Sequence, residues 1–237
     1  MKKSILIFTI LFITFSLING EAYPDKKTPT PEEQLQAYGI DLTIPGLKKA
    51  LRHTLPAVRE NAAITLGKRK ERSAISDLKE LLKDDYIYAR IAAAESLSIM
   101  EDDSGIPVLF DTLNAAHIPA RLRAASILAD IGKVEGYETV AQILKNNDPM
   151  DRLNAVRILP KFLRFKEPNI HVVPDLVNVL HQDKDARVRR AAADELKNFR
   201  GNEIVEAFKK SLEEDEDVVV HGIAVQYLGK IKNSGTQ

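Results

Sequence analysis

The chain has 237 residues, 44% hydrophobic and 29% charged, with 34 Lys and Arg against 34 Asp and Glu. That apolar content excludes a disordered chain, and the zero formal charge argues against a nucleic-acid binder, which would carry a basic excess. Cysteine is absent, so disulfides, thiolate metal sites and a cysteine nucleophile are excluded. Aromatic residues make up only 6%, a balance that favours helices packed through small and medium side chains.

Residues 1–22 read as a secretory signal peptide. Lys2 and Lys3 precede a nearly unbroken apolar run from Ile5 to Ile18, and small residues follow at Gly20 and Ala22. The run is short for a bilayer span, which needs about 20 residues. Retention as an anchor is the alternative. Cleavage after Ala22 leaves a near-neutral chain with no membrane span, exported to a bacterial periplasm or secreted. Residues 23–30 read as an extended, proline-bearing lead-in.

Between residues 31 and 232 the sequence repeats. Arg59, Arg90, Arg121 and Arg152 stand 31 residues apart, and the frame returns at Arg189 and His221. Each is followed by a small pair and a Leu: Ala62-Ala63 and Leu66, Ala93-Ala94 and Leu97, Ala124-Ala125 and Leu128, Ala155-Val156 and Leu159, Ala192-Ala193 and Leu196, Ala224-Val225 and Leu228. A second column runs between these blocks: Ile44, Leu47 and Leu51, then Ile75, Leu78 and Leu82, then Ile106, Leu109 and Leu113, and onward to Ile204, Phe208 and Leu212. The spacings i, i+3, i+4 and i+7 predict two short helices per unit. Asp84, Asp148, Asp183 and Asp215 stand where they would cap the Ala-rich helices. One such pair buries only a handful of side chains, each worth about 1.5–3 kcal/mol, against roughly 1–2 kcal/mol of ordering cost per residue. Stability therefore depends on stacking the units into an array.

The unit Val58-Arg59-x-x-Ala62-Ala63-x-x-Leu66-Gly67 followed by Ile75-x-x-Leu78-x-x-x-Leu82 resembles the HEAT-like repeat of the phycobilisome-lyase type. The resemblance covers 31–232 and implies an all-α fold, a right-handed α-α superhelix. It also implies a hydrogen-bond ladder between repeats, built from the Arg and an Asp six residues before it. Asp84 with Arg90 and Asp183 with Arg189 keep that spacing, while Arg59, Arg121 and Arg152 have His53, Ala115 and Asn146 there. The ladder is therefore expected to be broken in the middle and at both ends.

The polar start at Glu32 and Glu33 suits an end cap, and residues 233–237 read as a polar tail. Six extra residues between Leu159 and Val172 read as a longer loop, or as a partner-contacting protrusion if Phe162, Phe165 and Ile170 are exposed. His53, His117, His171, His181 and His221 lack metal-ligand spacing, and no GxSxG, Walker or GxGxxG pattern occurs. No catalytic, cofactor-binding or metal residue is assigned. The acidic run 213–217 reads as a solvated turn and Lys68-Arg69-Lys70-Glu71-Arg72 as a basic one.

The resemblance implies a concave face lined by the second helix of each unit. Its exposed positions assign a partner-binding groove to Lys79, Lys83, Phe110, Asp111, Gln142, Lys145, Val177, Asn178 and His181, with Phe110 and Val177 as apolar anchors. Packing of those two between neighbouring helices is the alternative. The function expected is a non-enzymatic scaffold binding a protein or peptide. An accessory subunit of a lyase-like enzyme is the alternative, and a nucleic-acid-binding HEAT protein is a more distant one.

Overall fold

The computed structural model describes residues 28–234. The segment read as a signal peptide and most of the expected lead-in fall outside them. The described residues form thirteen α-helices joined by short turns, with no strand among them. They are α1 (Pro31–Ala37), α2 (Ile44–Ala50), α3 (Pro56–Lys68), α4 (Ile75–Leu81), α5 (Ile87–Ile99), α6 (Ile106–Thr112), α7 (Ile118–Asp130), α8 (Gly136–Ile143), α9 (Pro149–Ile158), α10 (Val172–Gln182), α11 (Ala186–Leu196), α12 (Asn202–Glu214) and α13 (Val218–Ser234). Odd-numbered helices from α3 onward carry the Ala-rich blocks and even-numbered ones the second column. The result is the all-α superhelix the repeat implied.

Local chemistry starts and stops the helices. Proline occupies the first turn of α1, α2, α3, α6, α7 and α9, where its missing N–H costs nothing. Thr30 and Glu33 form a reciprocal capping box on α1. Asp148 caps α9 by accepting from Met150 N, as expected. Asp84, Asp183 and Asp215 are not the caps. They accept from the amides of Tyr86, Asp185 and Asp217 in turns one step earlier, and Asp185 caps α11.

A left-handed residue follows α1, α3, α5 and α7 at a 31-residue spacing: Gly39 (φ 72°), Lys70 (φ 52°), Glu101 (φ 63°) and Gly132 (φ 83°). The next amide in each case bonds back to the helix, as in Glu71 N to Leu66 O at 3.0 Å and Lys133 N to Leu128 O at 2.8 Å. This is the glycine-type helix stop, and two of its four copies carry a β-carbon that disfavours the conformation by about 1–2 kcal/mol.

The small pairs lie inside the stack. Ala62, Ala63, Ala93, Ala94, Ala124, Ala125, Ala192 and Ala193 are all fully buried, and so are Leu66, Leu97, Leu128 and Leu196. The Ala-rich helices pack on one another along the whole row, α1 on α3 through to α11 on α13, whereas among the short helices only α10 and α12 meet closely. The six-residue insertion explains part of that gap. Residues Leu159–Phe162 form a 3-10 turn that contacts both α8 and α10. Phe162 is fully buried against Tyr137, and Phe165 and Ile170 pack partly buried on the same core. The protrusion reading is thereby corrected for its apolar residues: Phe162, Phe165 and Ile170 fill space between two repeats while Leu163, Arg164 and 166–169 stay exposed, because aromatic rings gain more from burial than from water. The Tyr137 hydroxyl donates to Asp175 and accepts from His171 N at 2.9 Å, which pins the segment.

Replacing Glu101 by Gly is expected to stabilise the protein by about 0.5–1 kcal/mol, since relief of the left-handed strain exceeds the entropy glycine adds to the unfolded chain. A rise in the urea midpoint at unchanged slope is the measurement, and an unchanged or lower midpoint refutes it.

Candidate partner-binding faces

The ladder runs between repeats. Arg59 grips Asp84 of the next unit through Nε at 2.6 Å and Nη2 at 2.7 Å, while its Nη1 donates to the carbonyl of His53 at 2.9 Å. Arg152 does the same to Asp183 (2.7 and 2.7 Å) and Asn146 O, and Arg189 to Asp215 (2.8 and 3.0 Å) and Asp183 O. Each Asp carboxylate thus serves the Arg of the preceding repeat, and the Arg six residues on takes at most the backbone carbonyl. The expectation of broken ends is corrected: both end rungs are made, and the gap is central. Arg90 donates to the carbonyls of Asp84 and Asp85, and Arg121 to Leu113 O, with no carboxylate on either among the described residues. The cause is local, since Ala115 and Asn146 stand where Asp is needed.

The rungs are largely desolvated, with side-chain exposures of 12% and 8% for Arg59 and Asp84 and 13% and 4% for Arg152 and Asp183. Removing one partner of such a pair costs about 3–5 kcal/mol, mostly the penalty of stranding the other charge. Burial pushes the Asp84 carboxyl up, but the Arg59 guanidinium and the Tyr86 amide outweigh it and leave it below the usual range. Asp215 is likewise lowered, burial being overcome by Arg189 and the Asp217 amide.

The residues expected to line the groove all lie on or beside the short-helix row. Lys79 is held by Asp102 at 2.8 Å, which with Ser104 lowers the Asp102 carboxyl to about 2. Phe110 and Val177 are half-buried and pack on the core. Asp111 and Gln142 are exposed, and Gln142 donates to Glu138 of its own helix. Lys83, Lys145 and His181 each flank a ladder rung. Lys145 and Asn178 share a cleft of about 560 Å³ with Arg152 and Asp183, Lys83 borders Arg59 and Asp84, and His181 borders Arg189 and Asp215 while bonding Ala207 O at 3.1 Å.

This row is the outer one. A curved stack bends toward the row whose members sit closer, and the Ala-rich helices are that row. A second observation agrees. Arg123 on α7 donates to Glu60 on α3 at 2.6 Å across the intervening α5, and approaches Glu95 of α5 at 3.4 Å. Neighbouring helix axes lie about 8–10 Å apart, so side chains two repeats apart meet only where the face curves inward. The concave face expected on the second helices is therefore placed on the Ala-rich helices instead.

That inner face carries its own set of polar and aromatic groups. Tyr88 lies 5.9 Å under the Arg123 guanidinium and its hydroxyl meets His117 Nδ1 at 2.9 Å. Tyr86 packs beside it with ring centroids 5.5 Å apart. Burial, and then the neighbouring Tyr86, raise the Tyr88 phenol. Farther along, Leu153, Arg157, Arg187, Arg190, Asp194, Glu195, Val219 and Ile223 line a shallow cleft of about 430 Å³. Sequence reasoning missed these residues. Their one signal is a large or charged side chain inside an Ala-rich block, such as Arg123 where the repeats before and after have Ala92 and Asn154. Among the described residues no three His, Asp or Glu side chains group as a metal site requires. No described helix is long and apolar enough to cross a membrane.

Stacked helix pairs joined by an Arg–Asp ladder define an α-solenoid. The sequence matches the family described as HEAT repeats over residues 44–129 and 173–236, and the chain belongs to that family. Among solved structures it is similar to the Escherichia coli protein YibA, at 20% identity over 89% of this chain and 79% of that one, with a TM-score of 0.57. It is also similar to an engineered protein at 21% identity, over 79% and 95% of the two chains, with a TM-score of 0.50. The CpcE–CpcF complex of phycocyanin lyase from Nostoc sp. PCC7120 aligns at 22% identity over 89% and 98%, with a TM-score of 0.43. No curated protein matches the sequence.

The folded-state carboxyls of Asp84 and Asp215 lie below their unfolded values. The stability they add is full above the unfolded value of about 3.9 and is lost as pH falls through the folded values. Thermal melts are expected to drop steeply below about pH 4. An Asp84→Asn/Asp215→Asn protein is expected to melt lower at neutral pH and to decline less on acidification. Parallel acid declines in the two proteins would show that the ladder carries none of the pH dependence.

Proposed function

We propose that this chain is an exported, non-enzymatic scaffold that holds a protein or peptide partner on the inner face of its solenoid. The observation that carries the reading is the Glu60–Arg123–Tyr88 assembly. It brings together, across three repeats, a Tyr and an Arg, residue types that dominate binding energy at interfaces, with Glu60 and Tyr88 ordering the Arg123 guanidinium between them. Pre-ordering lowers the side-chain entropy lost on binding. HEAT repeats are suited to the role, because stacking gives a long face whose shape the core maintains and whose surface residues are free to vary. The leader-like pattern of residues 1–22 supports export, and it bears against the accessory-subunit reading insofar as that role is intracellular.

Crosslinking and affinity capture from the organism's own cell envelope test the assignment. Arg123→Glu and Tyr88→Ala are expected to lose the partner that the parent protein retains, at unchanged helicity. Lys79→Ala and Asn178→Ala, on the outer row, are expected to keep it. Loss on the outer variants with retention on the inner ones would move the site back to the second helices. An intact first residue on protein recovered from the cytosol would remove export.

A further inference from the structure

The last helix presents a docking surface that every earlier Ala-rich helix has already filled. In α3 the positions facing the next repeat are Arg59, Ala63, Leu66 and Gly67. Ala63 and Leu66 are fully buried, and Arg59 reaches the next unit's Asp84. The same register in α13 falls on His221, Val225, Leu228 and Gly229. Here Val225 is 60% exposed, Leu228 only half-buried, and a β-carbon on Gly229 would meet nothing within 4 Å, whereas one on Gly67 would strike Ser96 of α5 at 2.3 Å. Val218, one turn earlier, is 79% exposed. His221 Nε2 is buried and has no hydrogen-bond partner. Apolar exposure of this kind marks a covered surface.

We infer that α13 docks against α13 of a second copy of this chain, antiparallel, about a two-fold axis crossing the helix between Gly222 and Val225. Three observations select this occupant. The contact is continuous with the interface that joins the repeats, and it uses the same small-residue register that lets α5 approach α3. A head-to-tail contact with the opposite end of the solenoid would not close. The two ends of α13 carry opposite charge, with exposed Glu216 just before it and exposed Lys230 in its last turns. An antiparallel pair sets the acidic end of one copy beside the basic end of the other. One 17-residue helix per copy is a small interface, so the dimer is of micromolar strength.

Sedimentation equilibrium of the protein as the cell produces it, from about 5 to 500 µM, a range bracketing micromolar association, is the test. A concentration-dependent dimer is expected. Val225→Glu is expected to be monomeric across the range with unchanged helicity and melting temperature. Glu216→Lys weakens the dimer about tenfold or more, and Glu216→Lys/Lys230→Glu restores it. The chain contains no cysteine, so introduced thiols report geometry cleanly. Val225→Cys is expected to crosslink to itself through a short bismaleimide. A monomeric parent protein at 500 µM on this range, a Val225→Glu protein that still dimerises, or crosslinking of Val225→Cys to a Tyr38→Cys copy in preference to itself would each overturn the inference.

Discussion

A β-carbon on Gly67 would lie 2.3 Å from Ser96 Oγ, and the same hydroxyl donates across the helix boundary to Ala63 O at 2.8 Å. That distance sets the architecture. Helices that meet through Ala and Gly can approach until their backbones nearly touch, and the short helices behind them cannot follow, because Leu, Ile and Phe hold them apart. The stack therefore curves toward its small-residue row. Curvature in turn decides which side chains converge, and Glu60 and Arg123 meet for that reason alone.

The Arg–Asp ladder does a different job. Van der Waals contact between alanines is permissive about sliding along the helix axis, since each pair contributes little and the surfaces are smooth. A bidentate guanidinium–carboxylate pair is directional. Its third nitrogen on a backbone carbonyl of its own unit fixes the loop as well as the neighbour. The rungs at Arg59, Arg152 and Arg189 lock the register at both ends of the array. The centre, around Arg90 and Arg121, relies on packing and backbone carbonyls. It is the stretch where the inner-face assembly of Tyr88 and Arg123 sits, so the polar contacts there hold repeats together while remaining available to a partner.

The two end surfaces show how an array ends. At α1 the small pair is replaced by Pro31 and Glu32, and Glu32 pairs with Arg69 at the end of α3. At α13 the small-residue register persists. Val225 and Gly229 keep the character of an internal interface while lying open, and His221 stands in the ladder frame without the acceptor that Arg59 finds in Asp84.

The repeat period, the helix pairs, the buried columns and the all-α superhelix were legible in the residue order, because each depends on local periodicity and on patterns recurring every 31 residues. The ladder was half legible: its members could be named, but pairing Asp84 with Arg59 instead of Arg90 requires knowing which unit lies within reach. The left-handed column through Lys70 and Glu101 was hidden, since only two of its four residues are glycine. The insertion's burial and the side on which the stack curves belong to tertiary structure. Phe162 is in the core because α8 and α10 leave room for it, and Arg123 reaches Glu60 because three helices bend around one axis. Neither relation has any signature in the spacing of residues along the chain, for both are set by distances between segments tens of residues apart.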